Sequence, residues 1–290
     1  MSSFFARAPK VVVQGITGRE ARFWTERMIA CGTQIVAGVT PGKGGQHVGA
    51  IPVYDRVEEA VAQHSATATV LFVPPRAAKS AVLEAMAAGI ETIVLLTEHI
   101  PVHDTMALLA EADERDVSIL GPNSPGMAVP GSYFLGILPA WELTIFSPGP
   151  IGVASRSGSL GTLVCVELVR RGLGQSAFLG IGGDPILGTT FYDALSAFEA
   201  DPETKAVVLL GEIGGTMEED AAAFIAEMSK PVVAFIGGSS APEGRKMGHA
   251  GAIVAGNKGT APSKIAALRD AGARVANVPS HVGRLVAELF

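Results

Sequence analysis

Short runs of Val, Ile and Leu alternate along the chain with longer stretches in which apolar residues recur at helical spacing. The first apolar run covers residues 10–14, a helical pattern follows over 20–30, and a second apolar run covers 33–39. A helix over 57–63, a strand over 68–73 stopped by Pro74-Pro75, a helix over 77–88, a strand over 92–96, a helix over 103–115 and a strand over 118–120 continue the series. Strands that are unbroken apolar runs, separated by helices, predict a parallel sheet covered on both faces.

The rhythm breaks over 121–150, where Pro and Gly concentrate and periodicity fades, so a connection is expected there. It then restarts, with strands at 151–154, 176–181, 206–210, 232–236 and 274–278 and helices at 161–171, 190–200, 217–228, 261–271 and from 280 onward. The fold class is therefore α/β: a Rossmann-like domain over 1–128, a connection over 129–149, and a flavodoxin-like open parallel-sheet domain over 150–290. The two halves share a rhythm but no residue-by-residue repeat.

A length of 290 residues suits two such domains. Composition narrows the partners. The net charge is −6 and no Lys/Arg cluster is present, which argues against a nucleic-acid partner. No apolar run is long enough to cross a bilayer, and residues 1–10 lack the apolar segment of a signal peptide. A cytoplasmic location is expected, or the mitochondrial matrix in a eukaryote. Cys31 and Cys165 lie far apart in apolar surroundings, as reduced, buried thiols do.

Candidate chemistry sits where strands end. Gln14-Gly15-Ile16-Thr17-Gly18-Arg19-Glu20 follows the first strand and opens the first helix, where a helix N-terminus receives phosphate. Its spacing is not that of a dinucleotide fingerprint. The second strand ends not in an acidic ribose ligand but in Thr40-Pro41-Gly42-Lys43-Gly44-Gly45. A lysine in a glycine-rich loop suits a phosphate, as in CoA or NADP; the alternative is a turn with a solvated lysine.

Of six histidines, five (His47, His64, His99, His103 and His281) lie among polar residues without paired ligand spacing. His249 differs. It sits in Gly248-His249-Ala250-Gly251, among small residues that leave the ring accessible, and neutral imidazole is a competent nucleophile near neutral pH. Glu212, directly after the run 207–210, is the candidate for orienting it. Ser155-Arg156-Ser157-Gly158-Ser159-Leu160 joins a strand to a helix and could hold a phosphate on backbone N–H groups; Ser157 or Ser159 could equally be a plain N-cap. Gly180-Ile181-Gly182-Gly183-Asp184-Pro185 reads either as a tight turn or as part of a site.

Together with Gly121-Pro122-Asn123, Gly211–Gly215 and the stretch 247–253, these motifs keep one order and spacing along the chain. In them the chain resembles the α subunit of succinyl-CoA ligase (succinyl-CoA synthetase) over nearly its whole length. The resemblance implies an acid–thiol ligase, ADP- or GDP-forming, that works through a phosphohistidine and an acyl phosphate. It implies His249 and Glu212 as the catalytic pair, with phosphate stabilised by Ser155, Ser157, Gly158 and Ser159. It implies CoA bound through Thr17, Gly18, Arg19, Glu20, Lys43, Leu96, Thr97 and Glu98. ATP or GTP with Mg²⁺ would be held mainly by a β-type nucleotide-grasp subunit, and no Walker A loop occurs here.

The pattern departs from the family where Gly161-Thr162-Leu163 replaces a Thr-Tyr-Glu or Gly-Tyr-Glu sequence. Thr162 therefore marks the expected substrate region, with succinate or a related dicarboxylate or anionic acid as substrate. Ser124 stands for a cysteine, Ala21 for a glycine and Glu243 for a common lysine. A non-catalytic CoA-binding homologue is the alternative, and a nicotinamide-dependent oxidoreductase a weaker one.

Overall fold

The computed structural model describes residues 8–239, 248–254 and 259–290. The first half runs β1 (Lys10–Gln14), α1 (Arg19–Ala30), β2 (Gln34–Val39), β3 (His47–Val48), β4 (Ile51–Tyr54), α2 (Val57–His64), β5 (Ala68–Leu71), α3 (Pro75–Ala87), β6 (Thr92–Leu95), α4 (Val102–Glu114) and β7 (Ser118–Leu120). The sheet order is β3-β4-β2-β1-β5-β6-β7. Only β3–β4 is antiparallel. Without β3 this is the doubly wound order, in which strand succession reverses at β1 and leaves a crevice between the carboxyl ends of β1 and β5. Val11, Val12 and Val13 are fully buried because α-helices cover both faces of the central strand.

The second half runs β8 (Gly126–Val129), β9 (Tyr133–Gly136), β10 (Pro148–Ser155), α5 (Gly158–Val169), β11 (Gln175–Gly180), α6 (Phe191–Ala200), β12 (Ala206–Glu212), α7 (Met217–Ile225), β13 (Val232–Gly237), α8 (Ala261–Asp270), β14 (Arg274–Val275) and α9 (Val282–Ala287). Its sheet is ordered β14-β13-β12-β10-β11-β8-β9. The five strands β10 to β14 have the flavodoxin-like order, with the reversal at β10. A second crevice therefore opens between the ends of β10 and β12.

Two departures from the expected elements stand out. The β3–β4 hairpin was not anticipated, and 121–150 is not an irregular connection: β8 and β9 pair antiparallel with each other and extend the second sheet beside β11. These strands have four residues each, too few to display a period, and Gly126 faces Gly136 across the pair. Both glycines hold positive φ, and a Cβ on Gly126 would strike the Leu135 carbonyl. The close backbone approach that requires glycine there is what reads as loop in the sequence. Helix α5 also begins earlier than expected, at Gly158, because Ser157 caps it. Gly161, within α5, admits the Phe178 ring, which a Cβ would meet at 2.5 Å.

Candidate active site at the β10–β12 crevice

Ser155 ends β10, Glu212 ends β12, and the two strands pair directly. His249 reaches their carboxyl edge from a loop pinned to the 180–185 turn, where Gly251 N–H donates to the Gly183 carbonyl at 3.0 Å. The imidazole lies on Gly183, where a Cβ would sit 2.6 Å from Cγ. That turn is braced by the first half of the chain: Gly183 N–H donates to the Asn123 carbonyl at 3.2 Å, and Asn123 Nδ2 donates to Asp184 Oδ1 at 3.0 Å. Four motifs separated in sequence thus converge on one ring.

His249 Nδ1 is hydrogen-bonded to Glu212 Oε2 at 2.7 Å. The other oxygen, Oε1, lies 3.3 Å from Arg156 Nε. The hydrogen bond to Glu212 raises the His249 pKa above its ordinary value, against the effect of partial burial; the Glu212 and Glu98 charges add to the rise and Arg156 opposes it. Glu98, three residues past β6, is the contribution of the first half of the chain to this charge balance.

Behind Glu212 lies a second ion pair. Glu218 Oε1 accepts the Glu212 backbone N–H at 3.0 Å, and Glu218 is paired with Lys264; both side chains are fully buried. Burial pushes the Glu218 carboxyl up, and the Lys264 ammonium opposes it. Lys264→Met should lower the unfolding free energy by about 3–5 kcal/mol, since it strands a buried carboxylate. Chemical denaturation measures this, and a loss under about 1 kcal/mol would show the pair to be dispensable.

The crevice beside His249 is an open cavity of about 330 Å³, walled by Ser157, Ser159, Leu160, Glu212, Ile213 and Gly238 among others. Ser157 Oγ accepts the Leu160 N–H at 3.4 Å and lies 3.3 Å from Ser159 Oγ. The first-turn N–H groups at Gly158 and Ser159 have no intrahelical carbonyl to reach, so α5 points an anion-attracting terminus at the histidine. Ser155, expected beside the phosphate with Ser157 and Ser159, is placed differently from them. It is fully buried, its hydroxyl donates to the Ser157 carbonyl at 2.7 Å, and it does not line the cavity. Gly158 packs on Pro125 and offers its backbone alone. Thr162, expected in the substrate region, donates its hydroxyl to the Gly158 carbonyl at 2.8 Å within α5 and does not line this cavity. Glu243 lies outside the described residues.

In the first domain a cavity of about 250 Å³ opens at the crevice between β1 and β5, walled by Gln14, Gly15, Thr40, Phe72, Pro74 and Ser80 among others. None of the eight residues expected to bind CoA lies in this wall. They form its rim or stand beyond it. Gly18 is the N-cap of α1 and provides no side-chain cap, leaving the first-turn N–H groups there open, with Arg19 and Glu20 exposed. Thr17 Oγ1 lies 3.3 Å from Thr40 Oγ1, and Lys43 is exposed on the turn that follows. Leu96 is half-buried, Thr97 donates to the Val73 carbonyl at 2.8 Å, and Glu98 is half-exposed. Phe72 and Pro74, in this wall, were not among the expected residues, although Pro74-Pro75 marked the end of β5, where such a crevice forms.

Comparison with known proteins matches both halves of the chain. Residues 7–99 match a family model described as a CoA binding domain, and residues 104–274 match one described as CoA-ligase. The chain belongs to the CoA-ligase family. It is 56% identical over 281 residues to succinate–CoA ligase [ADP-forming] subunit alpha 2 of Archaeoglobus fulgidus, covering 97% of each chain. It is 48% identical to an ADP-forming sulfoacetate-CoA ligase subunit of an Acholeplasma species, covering 100% of this chain and 98% of that one. Among solved structures it superposes on ATP citrate lyase from Methanothrix soehngenii, in complex with citrate and coenzyme A, with a TM-score of 0.90 and 26% identity. That match covers 99% of this chain and 50% of the lyase, so the chain spans half the lyase's length. As a CoA-ligase family member the chain is an enzyme subunit of the α type, with the CoA-binding module ahead of the ligase module. Among the described residues no helix is long and apolar enough to cross a membrane, and no group of three or more His, Cys, Asp or Glu could hold a metal ion. Both cysteines are free; Cys165 is buried, which pushes its thiol pKa up, and Cys31 is only half-buried.

Proposed function

We propose that this α-type subunit carries a phosphoryl group on His249 Nε2 between a nucleoside triphosphate and a small carboxylic acid, ahead of thioester formation with CoA. The observation that carries this reading is the 2.7 Å bond from His249 Nδ1 to Glu212 at the strand-end crevice of a CoA-ligase-family chain. With Nδ1–H donating to the carboxylate, the Nε2 lone pair is free to attack phosphorus. The γ-phosphoryl group moves to Nε2 and the nucleoside diphosphate leaves. The carboxylate oxygen of the acid then attacks phosphorus, the N–P bond breaks, and an acyl phosphate forms. The CoA thiol loses its proton to solvent and attacks the acyl carbon, and inorganic phosphate leaves. One difficult displacement becomes three easier ones.

Gly158 and Ser159 N–H groups, with the α5 dipole, would face the carried phosphate. The nucleotide and its Mg²⁺ would be held by a β-type partner of the nucleotide-grasp kind, since the relatives are alpha subunits and this sequence has no Walker A loop. CoA would lie over the β1–β5 crevice, with phosphate at the α1 terminus. Lys43→Ala should raise the KM for CoA roughly threefold to fivefold, the scale of one exposed charge contact, and leave kcat in place. An unchanged KM would remove Lys43 from the CoA site.

The acid is proposed to be a small one with a second anionic group, succinate among them. The family's tyrosine and acid at 162 and 163 are absent, and the Thr162 hydroxyl is already engaged. CoA- and nucleotide-dependent phosphate release, measured with the co-expressed partner across succinate, malate, citrate, itaconate and sulfonated acids, tests this. Preference for one dianionic acid supports the proposal. Turnover confined to monocarboxylic acids would contradict it.

A further inference from the structure

We propose that Arg156 is a positioning residue for phosphoryl transfer: its guanidinium fixes the Glu212 carboxylate that in turn orients His249. This rests on the phosphohistidine reading and adds a member that the His–Glu pair alone does not include. Arg156 immediately follows β10 and is 3% exposed, a depth at which an arginine must be partnered on several sides. Its Nη2 donates to the Asp184 carbonyl at 2.9 Å and its Nε–H donates to the Gly182 carbonyl at 3.4 Å. These contacts hold the guanidinium in place beside Glu212, with Nε 3.3 Å from Oε1 as an ion pair.

Glu212 Oε1 is buried and receives no hydrogen bond of good geometry among the described residues. The Arg156 charge is therefore what compensates that oxygen, while Oε2 holds His249 Nδ1. The carboxylate is gripped from both sides, and its backbone N–H is tied to Glu218. Without the guanidinium, a buried carboxylate with one uncompensated oxygen would rotate away from Nδ1, which removes the acceptor that orients the ring. A lysine could not serve equally, because its donors share one nitrogen and cannot occupy the separate, rigidly spaced positions of Nε and Nη2.

The histidine loop also packs on this side chain. A Cβ added to Gly251 would collide with Arg156 Nη2. Gly251→Ala therefore offers a second route to the same displacement while keeping the charge.

The test is a double-mutant cycle on the single-turnover rate of His249 phosphorylation, measured with the assembled holoenzyme. In the wild-type background Arg156→Gln should slow the reaction about a hundredfold, the upper range for losing the outer partner of an oriented histidine, with the KM for CoA unchanged. In a Glu212→Gln background the same substitution should change the rate by less than about threefold, because its effect passes through Glu212. Gly251→Ala should follow the same pattern, and it carries the test alone if Arg156→Gln fails to fold. Equal losses in both backgrounds would overturn the proposal. Wild-type enzyme that phosphorylates while Arg156→Gln keeps its full rate would overturn this inference only. Wild-type enzyme with no label on His249 would overturn the underlying phosphohistidine reading as well.

Discussion

His249→Asn should abolish acyl-CoA synthesis, with kcat falling by more than about 10⁴-fold, the scale of losing a covalent nucleophile. Asparagine is close in length to the near half of the imidazole, and its amide N–H can still donate to Glu212, so the pinned loop and the 2.7 Å contact have a substitute. What it lacks is the distal nitrogen. The expected phenotype is therefore specific: no phosphorylation, no turnover, and an unaltered affinity for CoA, whose proposed crevice lies on the other sheet. Steady-state kinetics with CoA titration calorimetry measures both halves. Retention of more than about 1% of wild-type kcat would mean that the phosphoryl group travels without this imidazole.

Glu212→Gln is the second large effect. The amide is isosteric but can present its NH₂ group to Nδ1, which favours the wrong tautomer and turns the lone pair away from phosphorus. The analogous change in hydrolytic triads costs about 10⁴-fold, and a loss of about 10²–10⁴-fold is expected here. It also has a signature in pH. In the wild-type protein the hydrogen bond to Glu212 raises the His249 pKa, so the neutral nucleophile accumulates only as pH rises through that raised value. Removing the carboxylate should shift the midpoint of the pH profile for phosphorylation toward lower pH. Stability follows the opposite order. A pKa raised on folding contributes stability that is fully present below the unfolded-state value, near 6.5, and is lost as pH rises through the folded value. Glu212→Gln should flatten that dependence. An unshifted profile would show that Glu212 does not set the proton affinity of His249.

Much of this arrangement was legible in the sequence because strand ends are legible. Unbroken apolar runs gave the positions of β1, β5, β10 and β12, and topology alone puts crevices at their carboxyl ends. Glu212 and His249, 37 residues apart, could be paired because one ends a strand and the other sits among small residues beside a second strand. Side-chain direction was not legible. Ser155 and Ser157 look alike in the sequence, yet one hydroxyl is sealed inside the sheet and the other stands in the cavity wall. Thr162 is turned into its own helix by a bond to the Gly158 carbonyl, a contact that residue type does not announce. The β8–β9 strands were hidden by the glycines that let their backbones approach. The Arg156 role was hidden because three of its partners lie 26, 28 and 56 residues away, two of them backbone carbonyls.

The most direct measurement is to incubate the holoenzyme with nucleoside triphosphate, quench in base, and map the phosphoryl group by mass spectrometry. Phosphohistidine survives base and is lost in acid. The predicted result is one phosphoryl group on the peptide that contains His249, discharged by adding the carboxylic acid together with CoA and absent from His249→Asn. A phosphoryl group on any other residue, or full turnover with His249 never labelled, would contradict it.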